Sequence, residues 1–158
     1  MRFIILLIFL YLSMFADMNF KETRYMAALD FEKSKYGNLH MDNENLIINY
    51  TKPIQETISY YNDKITVLAK DKLDEYSFQE HPNAQYLGLI LKAILNNNYA
   101  TVDELFEIKK EKQEIQLKAK PIIYSYIESI NIIKHKKSIK NIIIYMTNKD
   151  KITIETIN

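Results

Sequence analysis

Catalysis needs a nucleophile, a base or a metal held at short range, so the residues able to supply these come first. The three histidines are His40, His81 and His135. None has a second ligand three or four residues away, the spacing that sets two metal donors on one face. His81 precedes Pro82, in a turn expected to lead into a helix, and His135 sits beside Lys136 and Lys137, in an expected hairpin turn. No serine lies in a Gly-x-Ser-x-Gly elbow. The absence of Cys excludes a thiolate nucleophile, a thiolate metal site and a disulfide. Acidic residues fall in expected turns and outer strand faces, where solvation is their ordinary role. Only Arg2 and Arg24 could fork onto a phosphate or a base edge, and two glycines cannot build a glycine-rich phosphate loop. Asn49-Tyr50-Thr51 matches a glycosylation sequon but lies inside an expected strand, which makes it a coincidence. The reading assigns no catalytic residue, no metal and no cofactor.

What remains is apolar recognition. The chain has 12 Tyr and 7 Phe but no Trp. The stretch "LIINYTKPIQETISYYNDKITVLAK" places Leu46, Ile48 and Tyr50, then Ile58 and Tyr60, then Ile65 and Val67, at alternate positions. A period of two puts such residues on one side of a pleated strand. Tyr joins an apolar body to a polar tip, which suits a cavity lining or its wet rim. The same pattern also makes the ordinary inner face of a half-buried sheet. Both readings stand at this point.

The elements that must position these residues read as follows. Asn19 to Leu29 alternates as a long first strand, "DFEKSKY" is a polar break, and Gly37 opens a second strand. Asp42–Asn45 and Asn62-Asp63 are turn clusters, and Pro53 falls between strands, where it costs no ladder bond. "DEYSF" is a further short strand. The period then changes. "HPNAQYLGLILKAILNNN" sets Leu87, Leu91 and Ile94 three or four apart, a helix with one apolar face, Pro82 in its first turn and an Asn run at its end. Gly88 inside it costs about 1 kcal/mol relative to Ala. "TVDELFEI" reads as a second helical turn with Thr101 as its cap. Strands resume with "EIQLKAK", "YIESINIIKH", "SIKNIIIYMTN" and "KITIETIN", separated by Lys136-Lys137 and Asn148-Lys149-Asp150. Ten or eleven strands in meander order imply a single large curved antiparallel sheet forming an incomplete barrel, mainly β with a helical lid.

With 158 residues the chain is long enough for one domain with a real core, and 21 basic against 20 acidic residues give no excess to draw it onto nucleic acid. The locally basic "IIKHKKSIK" reads as a solvated turn, with a membrane or partner dock as the other reading. The first 16 residues, "MRFIILLIFLYLSMFA", follow a different rule: one charge, an apolar block, then a small residue before the polar chain. That is the layout of a signal peptide, too short to span a bilayer, with cleavage expected after Ala16 and export to the periplasm. Residues 17–158 form the remaining domain.

In the order of these features the chain resembles the periplasmic outer-membrane lipoprotein carriers, the LolA-like family, and in particular its divergent LolA-related branch. The residues that carry the resemblance are "FKETRYMAALDFEKSKYGNLHM", "NLIINYTKPIQETISYYNDKITV" and "LFEI". It implies an open half-barrel with a helical lid over an apolar cavity, lined here by Leu46, Ile48, Tyr50, Ile58, Tyr60, Ile65 and Val67 from the strands and by Leu87, Leu91 and Ile94 from the lid. It further implies a non-enzymatic, monomeric carrier that shields the acyl chains of a lipoprotein or lipid. Its partners would be an inner-membrane release complex and an outer-membrane acceptor. The family's lid-latching Arg after the glycine-started strand is missing from "DNENLI", so a latch must use other groups. The competing expectation is an envelope interaction module whose helix fills the sheet and leaves no cavity.

Overall fold

The structure is a computed structural model describing residues 17–157. The expected signal peptide and its cleavage after Ala16 therefore lie outside the described residues, apart from the first residue that would follow it. The strands are β1 (Met18–Met26), β2 (Phe31–Asp42), β3 (Asn45–Lys52), β4 (Glu56–Tyr60), β5 (Lys64–Ala69), β6 (Lys72–Ser77), β7 (Phe106–Lys110), β8 (Glu114–Ala119), β9 (Ile127–His135), β10 (Ser138–Met146) and β11 (Lys151–Thr156). The helices are α1 (Ala84–Leu95) and the single turn α2 (Pro121–Tyr124).

All eleven strands form one antiparallel sheet in the order β6-β5-β4-β3-β2-β1-β11-β10-β9-β8-β7. The chain starts at the middle, meanders out to one edge, crosses through α1 to the other edge and meanders back. First and last strands therefore pair at the centre, Phe20 opposite Thr156 and Tyr25 opposite Lys151. The sheet does not close, because β6 and β7 each pair on one side only. It is thus mainly β and antiparallel, with two short helices.

Cross-strand register explains where the core lies. Paired residues share a face, so Ile154, Ile142, Ile132 and Ile115 form one continuous buried row across four strands. Such β-branched rows fit a pleated surface packed from one side. Leu46, Tyr60 and Ile65 form a row of the other half, and Ile48, Ile58 and Val67 form the next. The helix α1 buries Ile90, Leu91, Ala93 and Ile94 against these inner faces. Tyr99 and Val102 of the following 3-10 turn, and Ile123 of α2, complete the cover.

Three expectations need correction. The polar "DFEKSKY" is not a break: the chain turns earlier, in a 3-10 turn at Ala27–Leu29, and Phe31 to Lys35 pair with β1. This segment of β2 pairs with β1 alone, and Phe31, Glu32 and Lys33 are exposed, so no apolar alternation marks it. "TVDELFEI" divides into a 3-10 turn at Tyr99–Val102 and strand β7, because Phe106 to Lys110 find partners in β8. Thr101 is no helix cap, its hydroxyl donating to the Asn98 carbonyl at 2.9 Å.

Candidate functional site

Strand parity places every expected lining residue of β3, β4 and β5 on the face turned toward α1. Leu46, Ile48, Tyr50 and Tyr60 are buried there, Ile58 and Ile65 pack half-buried against the core, and Val67 lies half-buried beside them. From the helix, Leu91 and Ile94 are buried and Leu87 is half-buried. Ile48, Tyr50, Leu87 and Leu91 meet around one interior gap, together with Phe20, Leu39, Ile152 and Ile154. Leu46 and Ile94 are core residues and do not line it, and neither do Ile58, Tyr60, Ile65 and Val67.

That gap is about 10 Å³, room for one water at most. Among the described residues no open cavity of the kind implied by the family resemblance lies beneath α1. The helix occupies the space, through a contact that explains Gly88. A Cβ there would run into the ring of Tyr60, which lies directly under the helix backbone. Gly37 answers to backbone instead: a Cβ there would run into the Asn49 carbonyl of β3, while its strand partners Phe20 and Tyr50 meet edge to face with ring centroids 5.8 Å apart.

One side of the gap is charged, and sequence reasoning did not place it there. Glu22 follows Phe20 on the inner face of β1, is only 4% exposed and stands opposite Ile154, at the end of the isoleucine row. Its carboxylate accepts from the Tyr50 hydroxyl and from Arg24 Nε, both at 2.6 Å. Arg24 keeps 47% of its side chain exposed, so the pair bridges core and solvent. Burial works to lower the Arg24 pKa, but the carboxylate beside it outweighs that and holds the guanidinium above its ordinary value. Burial, then the Glu22 charge, pushes the Tyr50 phenol far up, so it remains the donor. Burial likewise pushes Tyr60 up to about 12. Lys35 completes the girdle: its Nζ stands 4.3 Å from the Tyr50 ring centroid and 2.9 Å from Glu56. The result is an apolar face edged by compensated charges. The alternation of "NFKETR" does place Phe20, Glu22 and Arg24 on one side, but two charges disguise an inner face, and the pairing with β11 is invisible locally.

The histidines stay apart. His40 is half-buried on the outer face of β2, His81 is exposed with its ring 5.6 Å from Tyr76, and His135 is exposed at a strand end. Among the described residues no three His, Asp or Glu side chains cluster in a way that could hold a metal. The amide of Asn49 is committed to an outer-face ladder, donating to Asn38 at 3.1 Å while its oxygen accepts from Thr57 at 3.0 Å. No protein-family model matches the chain, and no curated protein matches it.

Proposed function

We propose that this chain is a non-enzymatic carrier exported to the periplasm, shielding the acyl chains of a lipoprotein or lipid beneath α1. The observation behind this reading is how the helix is held. Among the described residues, no side chain of α1 hydrogen-bonds to the sheet. The polar ties lie just outside it, Asn83 to the Tyr126 hydroxyl at 2.6 Å and Lys134 to Asn97 at 2.8 Å. Contacts between helix and sheet that are apolar and non-directional exchange for acyl contacts at little net cost. Each CH₂ buried in their place contributes about 0.8 kcal/mol. The open edges at β6 and β7 leave the sheet free of a closed hoop that would lock the helix inside. The release complex of the inner membrane and the acceptor of the outer membrane would be its transient partners.

A second reading has its own observation. An interior gap of about 10 Å³ suits an envelope interaction module with a filled core and no cargo. Native mass spectrometry of the protein recovered gently from cell envelopes separates the two. The carrier reading expects a reproducible added mass in the range of a lipid or lipopeptide. A bare mass, with no uptake of a fluorescent fatty acyl probe, would leave the filled-core module standing.

A further inference from the structure

Across the inner face, cross-strand register sets the residues of β2, β1 and β11 in rows. Lys35 stands opposite Glu22, which stands opposite Ile154; Lys33 stands opposite Arg24, which stands opposite Ile152. The second row continues through Ile144 to Ile130, both buried. It begins with two cations and goes on as isoleucine. Like charges directly opposite each other across strands are destabilising. The girdle around the gap commits Glu22 to Arg24 and Tyr50, and Glu56 to Lys35. Lys33 is the charge left over: it is exposed and forms no ion pair among the described residues. The other acids nearby serve the opposite face. Glu32 lies there, opposite Tyr25, with Lys151 on the far side of that tyrosine. Asp30 and Asp150 are charged, but they bear on Tyr25, whose hydroxyl donates to Asp30 at 3.0 Å. Asp150 also accepts from Ala27 N–H at 2.8 Å. The carboxylate whose charge bears on Arg24 is that of Glu22.

We infer that Arg24 and Lys33 form a subsite for the anionic head of an acyl-chain amphiphile, a carboxylate or a phosphate monoester. A guanidinium offers such oxygens a planar fork, and an ammonium offers them a point charge. An anion between the two also relieves the like-charge pairing of the strands. Arg24 lines the interior gap, together with Ile152, Leu87 and Leu91. A head held on the cation pair therefore sets the first methylenes of its chain at the gap. The subsite rests on the carrier reading, and it narrows the cargo to lipids that carry an anion at the head.

Isothermal titration calorimetry on the full chain tests this with ligands of one chain length: dodecanoate, dodecyl phosphate and the neutral dodecanoyl glycerol, each below its micelle concentration. Lys33 is exposed and can be changed without touching the buried Glu22, so Lys33→Gln and Lys33→Glu should keep the parent's unfolding midpoint. The expected result is tighter binding of an anionic ligand than of the neutral one. The anionic affinity alone should then fall, about threefold in Lys33→Gln and about tenfold in Lys33→Glu. A preference limited to dodecanoate assigns the head to a carboxylate, and one limited to dodecyl phosphate assigns it to a phosphate. Equal affinity for all the ligands overturns the subsite and leaves the carrier reading standing, with Lys33 a solvated surface cation. An anionic preference that survives in Lys33→Glu also overturns it, because the head then lies elsewhere. Binding of none of them removes the carrier reading and the subsite with it.

Discussion

Gly88 and Tyr60 show how one residue's chemistry is set by another 28 positions away. On helix propensity alone Gly88→Ala should stabilise by about 1 kcal/mol. Because the new methyl would meet a buried ring, Gly88→Ala should instead destabilise by about 1–3 kcal/mol. Denaturant titration reads the sign, and a stabilised variant would refute the contact. The same tyrosine makes a pH prediction. Its phenol titrates at about 12 in the folded chain against an ordinary 10.0, so folding holds the proton more tightly. The stability this contributes is complete below pH 10 and is lost as pH rises toward 12. The parent should therefore lose unfolding free energy across that window more steeply than Tyr60→Phe. Tyr50, raised in the same direction, accounts for the slope that remains. Parallel slopes in parent and variant would mean Tyr60 is solvated.

At the level of elements, the open sheet must protect two edges. Strand β6 does so with charge: Lys72 pairs with Asp74, and Glu75 with Lys64, both at 3.0 Å. Exposed ion pairs of this kind contribute little to stability, but they keep another strand from adding to the edge. Changing Asp74 and Glu75 together to Val should leave the unfolding midpoint nearly unmoved and should drive self-association, followed by light scattering at rising concentration. A variant that stays monomeric would show that the edge is covered in another way. The helix was legible in the sequence because its period of 3.6 and its flanking Pro82 and Asn run are local signals. Strand β2 was legible only from Gly37 onward, since its first residues are held by β1 and carry no apolar face of their own.

For the whole molecule, the decisive feature is the central pairing of β1 with β11, which joins residues more than a hundred positions apart. Closing so long a loop is entropically costly and must be matched by burial, so the two halves of the sheet should fold together. A chain ending at Asp150 would leave β1 and β10 with bare inner edges. It is expected to show no cooperative thermal transition by circular dichroism, and a cooperative one would mean the halves fold independently. The sequence by itself determined most of the strands and turns, the helix and the parity that turns Leu46, Ile48, Tyr50, Ile58, Tyr60, Ile65 and Val67 to one side. Each of these depends on neighbours a few residues away. Only the tertiary structure decided that Glu22 is buried, that Phe20, Ile152 and Ile154 join the same face, and that α1 fills the space above it. Those outcomes follow from register and from packing between distant segments, and period-two alternation is blind to both.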